Sequence, residues 1–165
     1  MKVAIYSRAI EFEQQSSVQR LFDELIRQHL QPVIHQPFLE KIGSSFVLPS
    51  DITCFRESAD LDESIEFLIS LGGDGTLLDT VALVRDKNIP VLGINFGRLG
   101  FLASIGKEEL STAVTALANR TFVVDKRSLI HPAIPGRSSR QQKISRGPSG
   151  PRFRGGDSVS GNTTP

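Results

Sequence analysis

Residues 65–84 read IEFLISLGGDGTLLDTVALV. The first part, IEFLISL (65–71), is a nearly continuous apolar run, as in a strand covered on both faces. Glycines follow at 72, 73 and 75, where backbone can come close to something else. Leu77, Leu78, Val81, Leu83 and Val84 then recur at helical spacing, which predicts a helix over 76–86. A buried strand, a tight glycine turn and a helix in immediate succession demand a parallel sheet with helices against it.

The rest of the chain agrees. KVAIY (2–6) reads as a first strand. Residues 12–30 read as a helix, with Val18, Leu21, Phe22, Leu25 and Ile26 spaced for one face and Pro32 just beyond its end. PVIH (32–35) reads as a second strand, and residues 37–50 as a short helix and a loop. IPVLGIN (89–95) is another buried strand, KEELSTAVTALANR (107–120) an amphipathic helix, and TFVVDKRSLI (121–130) strand-like. The expected fold class is α/β, a parallel sheet flanked by helices on both faces. Ligands of such sheets bind beyond the carboxyl ends of the strands. The loops 72–76 and 95–101 both follow strands and belong on that edge.

A chain of 165 residues is one domain, or one domain with an appendage. A single cysteine, Cys54, excludes an intrachain disulfide and suits a reducing compartment; between Thr53 and Phe55 it reads as a small buried residue. Neither a signal peptide nor a run of about 20 apolar residues is visible, so a cytoplasmic protein with no membrane partner is expected. The charge is split. Residues 1–125 carry 11 Lys/Arg and 17 Asp/Glu, a net −6; residues 126–165 carry 8 basic residues and one acid, a net +7. Residues 131–165 also hold five of the nine prolines, six glycines and six serines. Such a segment cannot bury enough apolar surface to offset the entropy of ordering. The division expected is a domain over 1–130 and a basic tail over 131–165 without stable structure, open to trypsin. One aromatic, Phe153, gives the tail no stacking platform, and no nucleic-acid partner is expected.

Asp74 lies within the glycine turn. It reads as a catalyst, a metal ligand, or a turn residue capping the following helix. A strand, a glycine turn and a helix start together form an anion cradle, because amide groups converge and the helix dipole favours negative charge. The lysine of a Walker loop is missing and G-x-G-x-x-G is not matched. An acid beside phosphates needs a proton to accept or a cation to hold, and phosphoryl transfer to an alcohol needs both. In the second stretch, IPVLGINFGRLGFLASI (89–105), Phe96 and Phe101 flank glycines and can cover a flat base, while Arg98 either reaches a phosphate or faces solvent. His29, His35 and His131 show no metal-ligand spacing. The GGDS of the tail (155–158) follows no apolar strand and carries no expectation.

SLGGDGTLL and VLGINFGRLGFLA, placed after a KVAIY-type first strand, resemble the N-terminal part of the bacterial NAD kinase family over about residues 1–130. The resemblance implies a Rossmann-like domain and ATP-dependent phosphorylation of the 2′-hydroxyl of the adenosine ribose of NAD, giving NADP. It implies Asp74 as the base that accepts the hydroxyl proton. Gly72, Gly73 and Gly75 would admit phosphates and ribose, Thr76 would donate to phosphate, and Phe101 would line the adenine pocket. ATP would bring Mg2+ through its phosphates, with no protein metal cluster, and polyphosphate replaces ATP in some members. Full-length relatives are expected to be homo-oligomers. A GGDGT loop also occurs in diacylglycerol-type lipid kinases, which lack the GxLGFL segment; a lipid kinase domain and a non-catalytic nucleotide-binding fragment are the alternatives. Family members continue into a β-rich second domain with an Asn-Glu or Asn-Asp pair that holds NAD. No such pair follows residue 130 here, so little or no kinase activity is expected of this form.

Overall fold

The computed structural model describes residues 1–49, 52–97 and 100–127. The tail expected over 131–165, its GGDS, His131 and Arg98 lie outside the described residues. Six strands form one parallel sheet: β1 (Lys2–Tyr6), β2 (Gln31–His35), β3 (Thr53–Phe55), β4 (Ile65–Leu71), β5 (Val91–Asn95) and β6 (Ile105–Gly106). Their order is β3-β2-β1-β4-β5-β6. Chain progress therefore reverses between β1 and β4, which makes their carboxyl ends the topological switch point.

Side chains alternate across β1 and decide which helices it meets. Val3 and Ile5 pack with Leu21, Phe22 and Leu25 of α1 (Gln15–Arg27) and with Val114 and Leu117 of α4 (Leu110–Ala118). Ala4 and Tyr6 face the other way, into a cluster with Val33, Leu68, Ile89 and the partly buried Leu83 and Val84 of α3 (Asp74–Val84). Helices thus cover both faces, as the sequence predicts. Between β2 and β3, α2 (Gln36–Ile42) buries Phe38 and Ile42.

Several element boundaries differ from the sequence reading, each for a local reason. The predicted 12–30 helix opens as a 3-10 turn, Phe12–Gln14, and Phe12 is 80% exposed. The 107–120 helix starts only at Leu110, because residues 107–109 form a turn after β6 in which the Glu109 carboxylate accepts the Gly106 amide. Strand β3 is three residues long, too short to show a period. It also overturns the buried reading of Cys54: on this edge strand Phe55 turns into the core, while Thr53 and Cys54 are exposed. Residues 121–127 form no strand, although Phe122 packs edge-on against Phe67 with ring centroids 5.1 Å apart. Val123, at 96% exposure, has no strand neighbour to pair with among the described residues. The end of that predicted strand, 128–130, is outside the described residues.

Close approach between β5 and α3 depends on Gly93. A Cβ there would sit 2.9 Å from Ala103 Cα and closer still to a Leu77 methyl. Gly93→Ala should lower unfolding stability by about 1–3 kcal/mol through overpacking. Chemical denaturation checks this, and an unchanged midpoint would mean the two layers move apart freely.

Candidate active site

The glycine turn sits at the carboxyl end of β4. Gly72 has φ +141°, a conformation that side chains rarely adopt, and a Cβ there would lie 2.6 Å from Thr76 Oγ1. The Thr76 side chain therefore folds back over Gly72. Gly73 is the cap of α3, so Asp74 is not the cap its sequence position allowed. It is the first residue of the helix, and its carboxylate leaves the turn.

Asp74 instead reaches the second motif. Its Oδ2 accepts the Phe101 amide at 3.0 Å, and its Oδ1 accepts those of Leu102 and Ala103 at 3.0 and 2.9 Å. Three successive amides converging on one carboxylate form a nest for the negative charge. Gly100 makes this possible, since a Cβ there would lie 2.6 Å from Asp74 Cγ and 2.7 Å from Oδ2. Two stretches about 27 residues apart are thus joined through a single side chain. The Phe101 ring is 94% exposed at the rim, where it can meet a flat partner.

Four residues that the sequence reading missed as site residues complete this edge: Asn95, Arg8, Asp79 and Tyr6. Asn95, at the end of β5, is buried; its Oδ1 accepts the Gly97 amide at 2.9 Å, and its Nδ2 lies 3.9 Å from where a Gly73 Cβ would be. With Phe96, Gly97, Gly106, Lys107 and Glu109 it also lines a cleft. A polar residue closing the apolar run VLGIN was its signal. Arg8 follows β1 and Asp79 lies on the second turn of α3. Arg8 donates from Nε to Asp79 Oδ2 and from its NH2 group to Oδ1 at 2.6 Å; Tyr6 Oη also donates to Oδ2, at 2.9 Å. Hydrogen bonding to Arg8, then to Tyr6, holds the Asp79 carboxyl below its ordinary range, while burial beside Asp79 raises the Tyr6 phenol. No sequence spacing pairs residues 8 and 79; only the β1–β4 adjacency does.

His35 closes the group, tilted against Tyr6 at 4.9 Å and Phe55 at 5.3 Å. Its Nδ1 is buried without a hydrogen-bond partner among the described residues. Burial lowers its pKa from 6.5, and Lys41 adds to this while the Arg56 backbone opposes it. A depressed histidine leaves folding unaffected at pH above 6.5, where both states are neutral. As pH falls below that value the unfolded chain takes a proton that the folded chain resists, so stability is lost. The thermal midpoint should therefore fall as pH drops below about 6.5, before the carboxylate range is reached, and His35→Gln should flatten that slope. An equal slope in the variant would assign the titration elsewhere.

Comparison with known proteins identifies the family. The profile of the ATP-NAD kinase N-terminal domain matches residues 7–122. The chain is 36% identical over 130 residues to the NAD kinase of Flavobacterium psychrophilum and 35% to that of Flavobacterium johnsoniae, in each case over 79% of this chain and 44% of the relative. It is 36% identical over 131 residues to the NAD kinase of Cytophaga hutchinsonii, with the same coverage. It therefore spans less than half the length of these relatives. A crystal structure of yeast NADH kinase complexed with NADH superposes with a TM-score of 0.61 at 21% identity, over 72% of this chain and 36% of that one, and shares the fold. The sheet, the joined motifs and the profile match converge: this chain belongs to the ATP-NAD kinase family and carries its N-terminal domain.

Proposed function

We propose that this chain carries the phosphoryl-transfer half of an NAD kinase, which moves the terminal phosphoryl group of ATP to the 2′-hydroxyl of the adenosine ribose of NAD. The observation that carries this reading is the convergence of GGDG and the 100–103 turn on the Asp74 carboxylate. In this reading Asp74 accepts the ribose hydroxyl proton as the oxygen attacks phosphorus. Its three amide partners fix its orientation, which a general base requires before anything else. Amides at the start of α3 and the Thr76 hydroxyl face the phosphates, where the helix dipole favours negative charge. Gly72, Gly73 and Gly75 leave room for phosphates and ribose, and the bare Phe101 ring covers the adenine. Phosphoryl transfer gains most of its rate from such positioning and charge stabilisation.

Magnesium fits this site as a passenger of the nucleotide, held by phosphate oxygens and water. Among the described residues no three His, Cys, Asp or Glu gather as a metal cage, and the nearby Asp79 is engaged by Arg8 and Tyr6. When bound, the ion would neutralise charge developing on the transferred group.

The test is a chimera in which residues 1–127 replace the matching segment of the F. psychrophilum enzyme. Given ATP and magnesium, it should convert NAD to NADP and leave diacylglycerol untouched. A folded chimera that phosphorylates the lipid, or neither acceptor, would refute the reading.

A further inference from the structure

The carboxyl ends of β1 and β4 form the switch-point crevice, and each contributes a loop to it. From β4 comes the glycine turn. From β1 come Ser7, whose hydroxyl donates to the Leu71 carbonyl at 2.8 Å, and Arg8. We infer that Arg8 is the residue that binds the phosphate chain of the phosphoryl donor, oriented for that purpose by Asp79 and Tyr6.

The guanidinium is fixed along one edge. Its Nε and one NH2 proton form a fork on the Asp79 carboxylate, and NH2 also donates to the Gly75 carbonyl at 3.3 Å. The fork spends the charge-matched edge on Asp79 and sets the plane of the group. The other nitrogen, NH1, has no partner among the described residues and lies over Gly75, 3.7 Å from where a Cβ would be. With glycine there, that space is open to a ligand oxygen. NH1 thus leaves two N–H donors unengaged beside the first turn of α3. Arg8 is 60% exposed, so it meets a ligand without unburying anything. Lys41 adds a second cation, donating to the Arg8 carbonyl at 2.6 Å. In a domain whose first 125 residues carry a net −6, two cations at one crevice mark where an anion is wanted. An exposed ion pair adds little to folding, so stability alone gives Arg8 little reason to sit here.

The ligand chemistry is a linear phosphate chain, borne by a nucleoside triphosphate or by inorganic polyphosphate. The inference rests on the kinase reading above. Its test is calorimetric titration of the chain with magnesium-ATP and with inorganic tripolyphosphate, for wild type, Arg8→Ala and Arg8→Lys, each checked for an unchanged thermal midpoint. Loss of charge-assisted hydrogen bonds should weaken binding about ten- to a hundredfold in Arg8→Ala. Arg8→Lys should weaken it nearly as much. A lysine ammonium retains the ion pair with Asp79 but cannot present a second edge to the ligand. Binding of both ligands would place recognition in the phosphates alone; binding of ATP only would require the nucleoside as well. Wild-type affinity in Arg8→Lys would reduce Arg8 to a clasp on α3, and wild-type affinity in Arg8→Ala would also remove it from the site. A wild-type chain that binds neither ligand would overturn this inference, whereas the kinase reading is decided separately by the chimera.

Discussion

Asparagine in place of Asp74 should slow NAD phosphorylation by the chimera about 10²–10⁴-fold, the range lost when a general base is removed. The geometry shows what else the substitution does. An asparagine oxygen can keep the amides of Leu102 and Ala103, which both meet Oδ1. The new NH2 then faces the Phe101 amide, donor against donor. Because Phe101 is exposed, that amide can turn to water, and the stability lost should stay near the 1 kcal/mol of a single net hydrogen bond. A large fall in kcat with small changes in thermal midpoint and ATP affinity is therefore the expected pattern. Near-normal turnover would make Asp74 a tie between two loops and nothing more.

Gly100→Ala should disable the same site from the other side. A Cβ at 100 cannot coexist with the Asp74 carboxylate, whose Cγ would be 2.6 Å away. Either the carboxylate leaves its three amides or the turn shifts, and both misplace the base. Displacement by about 1 Å can cost about 10²-fold in rate. Overpacking should add about 1–3 kcal/mol of lost stability. Since both changes act on one contact, the Asp74→Asn/Gly100→Ala double variant should be hardly slower than Asp74→Asn alone. Multiplied effects would show that Gly100 serves a separate purpose.

Part of this site could be read from the chain itself. Asp74 and Phe101 stand out because a carboxylate and an aromatic within glycine clusters have few structural uses. The sheet is legible for a similar reason: IEFLISL and VLGIN are apolar on both faces, which only a covered parallel strand tolerates. Strand β3 is not legible, since three residues with two facing solvent show no period. The amides of 101–103 are invisible as ligands because backbone groups leave no mark in a sequence. Arg8 and Asp79 meet only because β1 and β4 are neighbours, a fact of topology that local spacing does not encode. The cap reading of Asp74 failed for a smaller reason. Gly73 already supplies the extended conformation that a cap needs, which frees the next side chain to reach across the sheet edge.

The most direct test of the account is an amide 1H–15N titration of this chain with magnesium-ATP. The sheet also has a groove at its opposite edge, lined by Leu61, Ile65, Phe67, Ile89, Arg120 and Phe122, so the two edges can be told apart. The account predicts saturable shifts at Gly72, Gly73, Gly75 and Thr76, and at Phe101, Leu102 and Ala103, with the opposite edge unmoved. Shifts confined to that opposite groove, with the amides around Asp74 unmoved, would contradict it.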